Sequence, residues 1–321
     1  KYDSVLIDSL KPAILSGKLS VVDRLGIIRD AFAVAEAGGA PTTDALSLSR
    51  VYENDDALPV WEEISAGINA AGSFYKNETW YELYEQYGLN LFSKLVKKLG
   101  WSKRKNESHT TALLRSLALA QSASFGDTAV IAHCQKLFKK HLQGKQINAD
   151  FRGLVYNVVA RNGSLKELSQ LIKLYKKASH MHEEQDRIGR AMGNFKSQAV
   201  LAKVLKFALS NQVRVQDAPG IFIGVARNFY GSQLAWKFLK KNWQAIFKKY
   251  NAGGHLLEWF IVPFSRFNST AEAVEFEQFF KDNPVPNMLR VIAQVLERIY
   301  SNEAWIKRDS TKIEAWLKSN S

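Results

Sequence analysis

From Val60 to Ala218 the chain contains no proline. Proline removes a backbone donor and clashes with the preceding turn, so a stretch this long without one admits many consecutive helices. Apolar spacing points the same way elsewhere in the chain. Leu239, Trp243, Ile246, Phe247 and Tyr250 recur at three- and four-residue steps, with Lys240, Lys241, Lys248 and Lys249 between them, as in an amphipathic helix. The same spacing runs through Leu25, Ile28, Phe32 and Ala35, and through Ile292, Val295, Leu296 and Ile299. Two start signals repeat: Ser164-Leu165-Lys166-Glu167 after Asn162-Gly163, and Ser269-Thr270-Ala271-Glu272 after Arg266-Phe267-Asn268. Both have the spacing of a capping box, in which each side chain satisfies an unpaired amide at the helix start.

No run of alternating β-branched residues competes with these patterns, and about fifteen to seventeen helical segments of roughly ten to twenty residues are expected. Short Gly, Asn, Asp or Ser turns between them make neighbours antiparallel. The expected fold is therefore all-α, an irregular HEAT- or armadillo-like superhelix of antiparallel helical hairpins forming a concave bowl. No strict sequence period is visible. Lys103-Arg104-Lys105-Asn106 reads as a polar loop, and Asn77 and Trp101 are the nearest things to division points. Without a Gly/Ser/Pro-rich linker, residues 1–321 read as a single α-solenoid domain.

With 46% hydrophobic and 23% charged residues, the chain lies well away from the composition of disordered proteins. Its longer apolar runs, such as Ile221-Phe222-Ile223-Gly224-Val225-Ala226, fall far short of the roughly 18 residues a membrane span needs. One cysteine, Cys134, excludes an internal disulfide and a cysteine metal cage, which weakly favours a reducing compartment such as the cytoplasm. Asn77, Asn106, Asn162 and Asn268 match the glycan acceptor pattern, too short a motif to decide compartment. The chain opens on Lys1-Tyr2-Asp3 without an initiator Met or a leader, so the numbering is expected to begin inside a longer protein. Lysine and arginine total 44 against 31 acids, a net charge of +13. That balance suits anionic partners. The basic pairs Lys139-Lys140, Lys176-Lys177, Lys240-Lys241 and Lys248-Lys249 are scattered, however, and read as solvated helix faces.

Catalytic motifs are missing. In His182-Glu183-Glu184-Gln185-Asp186 the second histidine of a zinc hydrolase helix is replaced by Asp186, and His180 projects to a different side from His182. Charged surface is the better reading there. Cys134 follows His133 within an expected helix, where sequence neighbours diverge, so a buried structural cysteine is expected. There is no Gly-x-Ser-x-Gly elbow, and Gly253-Gly254 lacks the Lys-Ser/Thr of a phosphate loop. Gly220 and Gly224 read as a close helix contact. Glu62-Glu63 and Asp55-Asp56 carry no chemistry by themselves.

An ordered set of landmarks resembles a known family. Tyr2-Asp3, Asp23-Arg24-Leu25, Asp30-Ala31-Phe32-Ala33-Val34-Ala35 with Ala37-Gly38, Tyr52-Glu53 and Val60-Trp61 are similar to the start of the C-terminal helical domain of aminopeptidase N-type zinc aminopeptidases. These are the gluzincins that include the puromycin-sensitive and endoplasmic-reticulum enzymes. Asp150-Phe151-Arg152-Gly153-Leu154-Val155-Tyr156, Asn162-Gly163, Arg214-Val215-Gln216-Asp217, Leu234-Ala235-Trp236 and Lys241-Asn242-Trp243 continue it. Ser265-Arg266-Phe267, Phe279-Phe280, Arg290, Glu297-Arg298-Ile299, Ala304-Trp305 and the stretch from Ile313 to Leu317 complete it.

The resemblance implies that the catalytic domain, with its zinc and its Gly-Ala-Met-Glu-Asn-like substrate loop, lies upstream of Lys1, beside β domains that would be this chain's partners. It implies no catalytic residue, metal ligand or cofactor within the chain, with zinc expected in the missing catalytic domain. The chain's own role would be to close over that site and help admit and position peptide substrates. Arg214, Gln216, Asp217 and Arg290 are the positions expected to touch substrate or a neighbouring domain, with helix capping and internal ion pairing as their other reading. Trp61, Trp236, Trp243 and Trp305 are expected in the core. An independent α-solenoid scaffold that binds proteins or peptides is the alternative. A nucleic-acid-binding repeat, suggested by charge alone, is set aside, so no nucleic acid partner is expected.

Overall fold

In the computed structural model, residues 4–320 are described; Lys1, Tyr2 and Asp3 of the resemblance lie outside them. Among the described residues there are sixteen α-helices, three 3-10 helices and no strand, so the fold is all-α. The first seven helices are α1 (Ser4–Leu15), α2 (Val21–Glu36), α3 (Thr42–Val51), α4 (Leu58–Gly72), α5 (Tyr81–Leu99), α6 (His109–Ser124) and α7 (Thr128–Leu142). Next come α8 (Ala149–Arg161), α9 (Leu165–Lys177), α10 (His182–Met192), α11 (Gln198–Ala208), α12 (Ala218–Ala226) and α13 (Ser232–Tyr250). After the short α14 (Glu258–Ile261), α15 (Thr270–Asp282) and α16 (Leu289–Ser319) finish the chain. The 3-10 helices are Asn251–Leu256, Val262–Arg266 and Pro286–Met288. No helix among the described residues is long and apolar enough to cross a membrane.

The helices fall into two compact units, residues 4–133 with 304–320, and residues 134–303. In the first, α2 packs on α3 and α4, and α4 and α5 pack on α6. In the second, α8 packs on α9 and α10, α10 on α12, and α12 on α11, α13 and α14. Helices α2, α8, α11 and α12 each pack on both the next helix and the next but one, which buries their apolar faces.

Local signals act much as their chemistry dictates. At Ser164 the capping box is complete: Glu167 accepts from the Ser164 amide at 2.8 Å, and Ser164 Oγ accepts from the Lys166 amide at 3.2 Å. At Ser269 the hydroxyl accepts from the Glu272 amide at 3.3 Å, but Glu272 reaches past the cap to the Asn268 amide at 2.9 Å. The expected polar loop before α6 is pinned from inside. Buried Arg115 donates to the Leu99 carbonyl at 3.1 Å and grips Glu107 with both terminal nitrogens, holding its carboxyl at about 2. Asn106 takes the left-handed backbone there, φ 61°, a region asparagine tolerates better than most residues.

The four tryptophans assigned to the core are buried. Trp61 lies against Phe92 in the first unit, and Trp236 is ringed by Phe264, Phe267, Phe276 and Phe279 in the second. At 31 residues, α16 is longer than any expected segment, because nothing between Leu289 and Ser319 is glycine or proline. Its inward stripe is interrupted by two polar residues that are themselves buried, Asn302 and Asp309. Asn302 donates to the carbonyls of Ser265 at 2.8 Å and Phe267 at 2.9 Å. Asp309 accepts from the Thr42 hydroxyl at 2.6 Å and the Thr42 amide at 3.2 Å, while Trp305 donates to that same hydroxyl at 2.8 Å.

Cys134 is buried, and burial pushes its thiol up to about 12; the neighbouring His133 ring turns instead onto Trp101, with centroids 4.1 Å apart. The expected glycine contact forms with a different partner. A side chain on Gly224 would stand 3.0 Å from the Arg190 carbonyl, and one on Gly193 would stand 2.3 Å from the Gly224 carbonyl carbon, so α10 and α12 meet backbone to backbone. At Gly220 the space is ordinary, with Asp186 at 3.4 Å.

Gly193→Ala should therefore lower stability by roughly 1–3 kcal/mol, despite alanine's better helix propensity, as measured by urea denaturation. Asp309→Ala strips the buried Thr42 groups of their acceptor and should cost about 3 kcal/mol at neutral pH in the same assay. Burial raises the Asp309 carboxyl, but hydrogen bonds from Arg308 and Thr42 outweigh it and hold the net value below the usual carboxylate range. A depressed folded value contributes stability above the unfolded pKa and loses it as pH falls through the folded one. The gap between the parent and Asp309→Ala should accordingly close in acid.

Candidate functional site

The segment between α11 and α12 carries three of the four sequence-derived positions. A tight turn, with the Asp217 amide 3.0 Å from the Arg214 carbonyl, brings the two charged side chains together. Arg214 donates from Nε to one Asp217 oxygen at 2.6 Å and from Nη2 to the other at 2.9 Å. This fork geometry is the strong form of such a pair. The Asp217 hydrogen bond raises the Arg214 pKa, and the Tyr175 hydroxyl, 3.4 Å from the same carboxylate, is pushed up to about 12 by burial and then by Asp217. Asp217 makes no side-chain capping bond to α12, so of the two structural roles it performs ion pairing. Gln216 beside it is exposed, as is the flanking Val215. Arg290 stands exposed in the first turn of α16 and makes no hydrogen bond or ion pair to the other three. Arg214 and Asp217 are thus joined; Gln216 and Arg290 are left facing solvent.

From that turn α12 leads to a cleft. Gly220 lies beside Asp186 and Arg190, which pair along α10 at 2.8 Å. About one and two turns farther, Ile223 and Arg227 line a cleft of about 350 Å³, together with Arg190, Glu258, Trp259, Val262 and Pro263. The tight crossing at Gly193 and Gly224 sets the approach of the two walls. Asn228 locks the end of α12 by donating to the carbonyls of Gly193 at 2.8 Å and Phe195 at 2.6 Å, which fixes where Arg227 emerges.

The cleft is cationic beyond its own lining. Arg266 reaches solvent, yet its pKa is depressed by burial among its neighbours and then by the charges of Arg227 and Arg298. Neither Arg227 nor Arg266 forms an ion pair among the described residues. Like charges that disfavour one another in this way favour an anion. Guanidinium forks beside the indole of Trp259, 43% exposed, can hold a carboxylate and an apolar group together.

No group of three or more His, Cys, Asp or Glu among the described residues is placed to hold a metal. Around His182 the expected charged surface gives way at Glu184, which is buried and accepts from Tyr156 at 2.7 Å and Arg152 at 3.4 Å, with Arg187 beside it. Sequence reasoning missed the cleft residues Arg190, Arg227 and Trp259, which are far apart in the chain and carry no spacing signal. Arg266 and Arg298 belong to the family landmarks but were not marked as site residues.

The sequence matches the family described as the ERAP1-like C-terminal domain over residues 1–301. It is 28% identical to aminopeptidase M1-B of Oryza sativa subsp. japonica, over 96% of this chain and 36% of that protein. It is 28% identical to aminopeptidase M1 of Arabidopsis thaliana, over 100% of this chain and 38% of that one. Against glutamyl aminopeptidase of Sus scrofa the identity is 26%, over 94% of this chain and 32% of the relative. The chain thus spans about a third of the length of these relatives, and it belongs to the ERAP1-like C-terminal domain family.

Proposed function

We propose that the chain is the noncatalytic C-terminal part of a zinc-dependent aminopeptidase. Its partners are the catalytic and β domains upstream of Lys1, and its helices close over the catalytic site and help admit and position peptides. The zinc belongs to that upstream domain; the residues described here do not fit it, and no chemical step is assigned to this chain.

The observation that carries the proposal is an open cleft lined by Arg190 and Arg227 with an indole at its edge, where the Arg227 charge also acts on Arg266. A peptide is a chain of amides ending in a carboxylate, and a guanidinium wall selects the anionic end by paired hydrogen bonds. Enclosing that peptide also keeps bulk water from the reacting bond, which strengthens every charge interaction inside. Gln216 and Arg290, exposed and unengaged, are the substrate or interdomain contacts of the set. Arg214 and Asp217 serve by holding the turn that presents Gln216.

The full-length protein provides the test. Arg227→Glu with Arg266→Glu should raise KM for peptides about tenfold or more, while kcat and the turnover of uncharged aminoacyl reporters stay unchanged. Equal loss on peptides and reporters would show that the cleft does not position substrate. The chain alone should hydrolyse no aminoacyl reporter, and turnover by pure material would end the noncatalytic assignment.

A further inference from the structure

A second concavity, on α7, α8 and α9, carries different chemistry. It is a groove of about 580 Å³, within the roughly 300–1,000 Å³ typical of ligand sites. Along α7, Gln135, Lys139 and Leu142 line it at steps of four and three residues, one helix stripe. Lys166 and Gln170 repeat the spacing on α9. Phe138, almost fully buried, and Val159 of α8 supply an apolar floor.

The groove's charges do not cancel. Its one acid, Glu167, is committed to the Ser164 amide and hydroxyl, at 2.8 and 2.7 Å, and these bonds outweigh burial to lower its carboxyl. Lys139 is exposed and pairs with no carboxylate among the described residues, while Lys166, also exposed, acts electrostatically on its neighbour Glu167. The α9 start is already closed by its capping box, so the helix end adds no pull of its own. Apolar surface continues past the rim at Leu142, 40% exposed, and Leu165, 46% exposed. Gln135 and Gln170 each offer both donors and an acceptor, the complement of a peptide backbone.

We propose that this groove docks a short acidic segment of a partner protein. One aliphatic side chain sits on Phe138 and Val159, and carboxylates on either side of it meet Lys139 and Lys166. Charge complementarity selects the occupant: two exposed ammonium groups against one carboxylate flank an apolar floor. The site lies apart from the arginine cleft and does not depend on the aminopeptidase assignment.

The test is fluorescence anisotropy with the whole chain and a fluorescein-labelled peptide of two adjacent leucines flanked by glutamates. Binding should tighten as salt is lowered, and the same peptide with lysines for glutamates should not bind. Lys139→Glu and Lys166→Glu should each weaken binding about tenfold. Leu142→Ala should weaken it at every salt concentration. All three substitutions are at exposed positions, so unfolding does not confound them. No binding at millimolar peptide would overturn the proposal, as would binding that the lysine variants leave intact. So would concentration-dependent self-association that the lysine variants abolish, because the occupant would then be a second copy.

Discussion

The backbones of α10 and α12 touch at Gly193 and Gly224, and the candidate cleft depends on that approach. A single methyl on Gly193 would collide with main chain, and one on Gly224 would crowd it, and main chain cannot swing aside as a flexible side chain can. With the two helices this close, α12 is enclosed by α10, α11, α13 and α14, and its nine residues are apolar apart from two glycines. The helix has no solvent-facing polar face to orient it. Its orientation comes instead from the glycine contact, from the Arg214–Asp217 pair before its first turn and from the Asn228 clamp after its last. Arg190 and Arg227 project into the cleft from two helices fixed in this way.

Polar side chains within and beside the core tie segments together. Asn228 and Asn302 each bind two backbone carbonyls of an earlier segment, satisfying acceptors that burial would leave unpaired. Asp309 does the reverse, taking an amide and a hydroxyl from the start of α3. Such groups add little net energy while satisfied, but they penalise any register in which they lose their partners. That is a means of selecting one arrangement among helices whose apolar stripes are otherwise much alike.

Helix content was legible because its signals are local. Ser164 and Glu167 are three residues apart, and the stripe from Leu239 to Tyr250 repeats within one element. The length of α16 was underestimated because segments of roughly ten to twenty residues were expected where the sequence supplies no breaker. Asn302 and Asp309 sit in phase with apolar residues, a readable anomaly that pointed inward, but their partners are fixed only by the tertiary fold. The candidate site was half legible. Arg214 and Asp217 lie three residues apart and could be paired on paper, whereas Arg190, Arg227 and Trp259 meet only once α10, α12 and α14 have packed. Glu184 shows the opposite failure: a run of charges looks like surface until one member proves to have a tyrosine and two arginines around it.

The seclusion of Cys134 gives the protein a chemically quiet surface. Its thiol is the chain's sole sulfhydryl, shielded from solvent and overwhelmingly protonated at neutral pH. Alkylating dyes and spin probes attack thiolates, so they find almost nothing to modify in the unaltered molecule. A cysteine engineered at any exposed position becomes the one reactive handle, and distances between such handles can be measured without first removing the native residue.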